Sequence, residues 1–143
     1  GNIPGPMETW LVHRSLSTLD VRLQRMCDTA MLLAHELNNH DKVISVRFPG
    51  LASDPSHAIA KQQQQLFGFI ISFELESVDA ADKFLAACQL VYVATSLGDV
   101  HSMAERRARW GTDKIAQGVI RFSVGCERHD DLINDVMGAL DSL

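Results

Sequence analysis

Phe69, Ile71, Phe73 and Leu75 stand at every second position, with Gly68, Ile70, Ser72 and Glu74 between them. Successive side chains of a strand point to opposite faces, so Phe67 to Leu75 is predicted to be a strand with one apolar and one mixed face. Such a strand demands cover on one side only. Val43 to Phe48 alternates in the same way, with Ile44, Val46 and Phe48 expected on one side and Pro49-Gly50 as the stop. Leu90 to Ala94 is expected to form a short strand. Near the end of the chain, Ile120, Phe122 and Val124 share one face, and Val119, Arg121 and Ser123 share the other.

Helical spacing fills the intervals. Pro6 can occupy the first turn of a helix through Trp10 and His13. Leu19, Leu23, Met26, Ala30, Leu33 and Leu37 recur at steps of three and four, which is one helical stripe. Ser53-Asp54-Pro55-Ser56 reads as a turn and the start of a short helix through Lys61, with Gln62 to Gln65 on a solvated face. Ser77 can cap a helix whose buried stripe is Val78, Ala81, Leu85 and Cys88. Leu132, Ile133, Val136, Met137 and Leu140 mark a last helix, with Asp130 and Asp131 in its first turn, where acidic groups favour the helix dipole. The expected fold class is α+β: a mostly antiparallel sheet of about four strands with helices packed on one face.

At 143 residues, one domain is the natural expectation. A net charge of −5 argues against nucleic acid as the main partner. The dense basic cluster, Arg106-Arg107-Ala108-Arg109 after Glu105, is read as a solvated helix face. No apolar run reaches membrane-spanning length. Cys27, Cys88 and Cys126 are odd in number and widely spaced, so free thiols in a reducing cytoplasm are expected, with Cys27 and Cys88 as small buried hydrophobes. Nothing marks Cys126 as an activated nucleophile. The six histidines lack metal-ligand spacing, so no metal site is expected. Gly1 to Pro6 reads as a linker running into a helix, as in the interior of a longer protein.

Thr95 to Gly118 is longer than a connection between two strands needs, and long connections in compact domains are often functional. A short helix is expected within it around Ser102 to Arg109. The segment returns into the strand that carries Arg121. A guanidinium fixed on a strand suits two-point gripping of a carboxylate or phosphate. Arg121 could equally cover the wet side of a half-buried sheet.

Five segments in order carry a resemblance. Trp10-Leu11-Val12-His13-Arg14-Ser15-Leu16-Ser17-Thr18-Leu19 is similar to W-L-x-x-R-x-L-x-T-L. Val46 to Leu51 is similar to V-x-Y-P-G-L, and Phe67-Gly68 with Ile71 to Leu75 to F-G-x-x-x-S-F-E-L. Ser96-Leu97-Gly98 is similar to the start of S-L-G-G, and Ile120 to Gly125 to I-R-L-S-V-G. Together they resemble the C-terminal small domain of the pyridoxal-phosphate-dependent Cys/Met metabolism enzymes, the cystathionine γ-lyase and γ-synthase family of type I transferases. The resemblance implies residues 1–18 as linker and helix leading from a large cofactor domain, and 19–143 as the substrate-binding domain. It implies a substrate-binding set of Arg121, Ser96, Thr95 and Leu97, with Arg121 on the α-carboxylate of a sulfur amino acid. It implies pyridoxal 5'-phosphate in the full-length enzyme, a homo-oligomer (a homotetramer in this family) and a cytoplasmic setting, with transsulfuration by a lyase or transferase as the activity.

Two departures stand out. Asp99 replaces the second glycine of S-L-G-G, where it could repel a substrate carboxylate or pull Arg121 into an ion pair. The family's cofactor lysine follows an S-x-x pattern, and Lys42, Lys61, Lys83 and Lys114 all lack it. The chain alone is therefore expected neither to anchor the cofactor nor to turn over. A stand-alone amino-acid-binding or interaction module without the cofactor is the alternative.

Overall fold

The strand through Phe73 lies near the middle of the sheet it was expected to build. In a computed structural model, which describes residues 2–111 and 114–143, the order is α1 (Pro6–Leu16), α2 (Leu19–Asn39), β1 (Val43–Arg47), α3 (His57–Gln63), β2 (Ile70–Leu75), α4 (Val78–Ala87), β3 (Tyr92–Val93), β4 (Met103–Arg106), a 3-10 turn (Arg107–Trp110), β5 (Val119–Ser123) and α5 (His129–Asp141). The strands form one sheet in the order β1-β2-β5-β4-β3. All neighbours are antiparallel except β3 and β4, which run parallel. The α+β architecture is as expected, with five strands rather than about four.

One face of this sheet is dry. Ile71, Phe73 and Leu75 of β2, Ile120 and Phe122 of β5, and Ala104 of β4 are buried together with Leu33 and Leu37 of α2, Phe84 of α4, and Leu132, Val136 and Leu140 of α5. Phe73 meets Phe84 edge to face, with ring centroids 5.5 Å apart, a favoured aromatic geometry. Local signals hold the covering helices in place. Ser77 Oγ accepts the Ala80 amide at 3.1 Å, the expected cap of α4. The Asp135 carboxylate on α5 accepts the amides of Gln89 and Leu90 at 2.8 and 2.9 Å, tying the exit of α4 to α5.

Several expectations need correction. Val78, expected on the buried stripe of α4, is 38% exposed at the start of the helix. Ile44 does not join Val46 and Phe48 in the core; it is 61% exposed, because a register shift between Val43 and Ser45 interrupts the alternation. Leu19 stands at the open end of its stripe, and burial begins one turn or more later, at Met26. Cys88 caps α4 half-buried, whereas Cys27 is buried as expected. The helix expected over Ser102 to Arg109 is a strand followed by a 3-10 turn. Ala104 drops into the apolar face, and Met103 and Glu105 point the other way, a period of two masked by the charged residues around it.

Gly118 marks a close crossing. Its carbonyl accepts the Leu75 amide at 3.1 Å, and a Cβ built on it would lie 2.0 Å from the Leu75 carbonyl oxygen. Gly118→Ala is expected to destabilise the fold by about 1–3 kcal/mol through overpacking, measurable by urea unfolding. An unchanged midpoint would show that the crossing can open without penalty.

Candidate carboxylate-binding site

The face of the sheet away from the helices is polar. Cross-strand register sets Arg47, Ser72, Arg121 and Glu105 side by side on β1, β2, β5 and β4. Arg121 is the half-buried centre of this row. Its Nη1 donates to the Ser96 carbonyl at 2.6 Å. That bond joins the sheet to the bend after β3, so two of the expected site residues meet directly.

The bend is held at several points. The Gly98 amide donates to Ser123 Oγ at 3.4 Å, and the Asp99 amide donates to Ser96 Oγ at 3.3 Å. Gly98 has φ +93, a conformation that favours glycine; a Cβ there would press the Phe69 ring at 3.3 Å. Thr95 Oγ1 donates to Glu105 Oε2 at 2.7 Å. Leu97 projects outward and is 77% exposed. Thr95, Ser96 and Arg121 thus form one connected unit, and Leu97 sits on its rim.

Asp99 does not capture Arg121. Its Oδ1 accepts the His101 amide at 2.9 Å and pairs with His101 Nδ1 at 3.1 Å. The hydrogen bonds from His101 hold the Asp99 carboxyl below its ordinary range. Among the described residues no carboxylate forms an ion pair with Arg121. The guanidinium is fixed at one corner by a neutral acceptor. A forked donor of this kind sets the angle as well as the position of a planar carboxylate.

The basic cluster was misjudged as a solvated helix face. Arg106 Nε donates to Asp82 at 2.8 Å on α4. Arg107 Nη1 donates to Glu105 Oε1 at 3.0 Å, and Trp110 Nε1 donates to Glu105 Oε2 at 2.8 Å. Glu105, only 1% exposed, is the site residue that sequence reasoning missed. Its available signal was the alternation Met103, Ala104, Glu105. Burial alone would raise its carboxyl, but the hydrogen bonds from Thr95, Trp110 and Arg107, with the Arg107 charge, bring it below the ordinary glutamate range. A depressed folded pKa stabilises above the unfolded value, about 4.3, and that stability is lost as pH falls through the folded value. The parent's stability advantage over Glu105→Gln should therefore shrink as pH falls below the unfolded glutamate value of about 4.3. A difference independent of pH would refute the charged hub.

The thiols are not activated. Burial pushes Cys27 and Cys126 upward and takes Cys88 up to about 12, with the Asp135 charge adding to the rise at Cys88. Among the described residues no group of His, Cys, Asp and Glu could hold a metal ion, and no helix is long and apolar enough to cross a membrane.

The family model for the Cys/Met metabolism PLP-dependent enzymes matches residues 1–141. The chain belongs to that family. A Streptomyces coelicolor protein with a provisional cystathionine gamma-lyase name is 50% identical over 141 residues, which cover 99% of this chain and 36% of that protein. The cystathionine beta-lyase of Coxiella burnetii is 42% identical, over 98% of this chain and 39% of its own length. The O-acetylhomoserine sulfhydrylase structure from Wolinella succinogenes superposes with a TM-score of 0.94 at 35% identity, covering 98% of this chain and 40% of that one. The chain thus spans roughly two fifths of the length of the family members it matches.

The residues present fit one side of a pyridoxal-phosphate site. Of the four lysines, Lys83 pairs with Asp79 at 2.8 Å and Lys42 reaches the Leu143 carbonyl at 3.5 Å. Neither is in the Arg121 unit, and none of the four has the S-x-x-K setting of the cofactor lysine. What the chain offers is a half-buried guanidinium held at one corner by the Ser96 carbonyl.

Proposed function

We propose that this chain is the substrate-binding portion of a pyridoxal-phosphate-dependent carbon–sulfur lyase or transferase acting on a sulfur amino acid in transsulfuration. The observation that carries it is Arg121 Nη1 on the Ser96 carbonyl at 2.6 Å, with no carboxylate in an ion pair with Arg121 among the described residues. In the whole protein, residues 1–18 connect to a large domain that supplies the cofactor lysine. The exposed Met7, Trp10, Leu11 and Leu16 of α1 suit packing against that domain or a second subunit, in a cytoplasmic homo-oligomer.

The cofactor, when bound, supplies the electron sink that stabilises a carbanion at the substrate's α-carbon. The chain's own residues do the placing. Arg121 holds the carboxylate in a fixed plane, Ser96 holds Arg121, and Gly98 with Ser123 holds the bend that carries Ser96. Fixing the carboxylate fixes the direction of the Cα–H bond, which converts binding into orientation. Thr95 acts by holding the bend to Glu105, and Leu97 on the rim meets the rest of the substrate.

The test is the visible absorption spectrum of the full-length protein with pyridoxal phosphate, before and after borohydride, run beside the isolated chain. A cofactor band fixed by borohydride in the full-length protein and absent from the isolated chain is the expected result. No band in the full-length protein, with calorimetric binding of methionine by the isolated chain, would favour an amino-acid-binding module.

A further inference from the structure

Glu105 is almost completely enclosed, at 1% exposure, so it cannot touch a substrate. Its contacts nevertheless converge on the Arg121 unit. Oε2 accepts from Thr95 Oγ1 at 2.7 Å and from Trp110 Nε1 at 2.8 Å, and Oε1 accepts from Arg107 at 3.0 Å. Across the β4–β5 ladder Glu105 stands opposite Arg121. Thr95 is followed by Ser96, whose carbonyl receives Arg121. The links close a ring: Glu105 to Thr95, along one peptide to Ser96, across to Arg121, and back over the ladder to Glu105.

We propose that Glu105 is a positioning residue: it anchors Thr95 so that the Ser96 carbonyl stands where it can aim Arg121 at the substrate carboxylate. This rests on Arg121 being the carboxylate grip. Arginine carries a long, rotamer-rich stem, and a guanidinium with one corner fixed loses much of that freedom before the ligand arrives. The fixed corner is only as firm as the bend that carries it. Thr95 itself is exposed, and its hydroxyl bond to Glu105 ties that end of the bend to a buried group. An apolar residue at position 105 could fill the space but could not receive the threonine hydroxyl.

The experiment uses the full-length enzyme loaded with cofactor and two unreactive probes, L-norleucine and n-pentylamine, which differ by the α-carboxylate. Affinities are measured by calorimetry for the parent, Glu105→Leu, Arg121→Ala and the double variant. Glu105→Leu, which fills the space without an acceptor for the Thr95 hydroxyl, is expected to weaken norleucine by about tenfold and pentylamine by less than about twofold, the size of a small misalignment. In the Arg121→Ala background it is expected to add less than about twofold, because the effect runs through that side chain. Equal weakening of both probes, a full additional loss in the Arg121→Ala background, or unchanged norleucine affinity would each overturn the proposal. If Arg121→Ala alone leaves norleucine unchanged, the grip itself falls and the positioning role with it. If Glu105→Leu does not fold, Thr95→Val cuts the same link at an exposed residue and is judged by the same outcomes.

Discussion

Arg121→Ala is expected to lower kcat/KM of the full-length enzyme by about a hundredfold or more, a loss of about 3 kcal/mol of transition-state stabilisation. The removed group makes charge-assisted hydrogen bonds and, through the Ser96 carbonyl, is held in one direction. On the proposed role, two separate contributions disappear: the charge that attracts the carboxylate and the fork that sets its plane. Arg121→Lys separates them. Lysine restores a point charge without the fork and without the lateral reach to Ser96, so most of the loss should remain. Steady-state kinetics of the two variants check this. Near-parental values for Arg121→Ala would mean that Arg121 only covers the wet face of the sheet.

Phe73→Ala is expected to have the largest effect on stability, about 3–5 kcal/mol. Phe73 is 1% exposed at the centre of the dry face, packed against Phe84 and flanked on the ladder by Val46 and Ile120. Close-packed neighbours on three sides cannot collapse fully into the space, so a cavity term adds to the lost transfer energy. Chemical unfolding of the purified protein measures it. A loss under about 1 kcal/mol, the size of an ordinary surface substitution, would show that β2 is not at the core's centre.

Much of this fold was legible because the relevant forces are local or periodic. The alternation from Phe69 to Leu75 encodes a one-sided strand wherever it is placed. The Leu33 and Leu37 stripe, the Ser77 cap and the acidic first turn of α5 are equally self-contained signals. The resemblance over five short segments also pointed to the family that the comparison bears out. The errors fell where partners distant in sequence decide the outcome. The sequence Met103 to Arg106 has weak strand character, yet the free edge of β5 accepts it. The cluster that followed Glu105 looked solvated because charged residues ordinarily are. Arg106 and Arg107 are half-buried and Ala108 is buried here, because Asp82 and Glu105 supply partners for the two arginines, while Arg109 stays exposed.

The same division holds for the site. That Arg121 lies on the mixed face of a strand follows from its two apolar neighbours, Ile120 and Phe122, since a side-chain period of two leaves no other choice. That its guanidinium meets the Ser96 carbonyl, that Asp99 turns to His101 instead, and that a buried carboxylate braces the bend are matters of three-dimensional assembly. Periodicity determines which way a side chain faces; only the packing of separate strands determines which group it finds there.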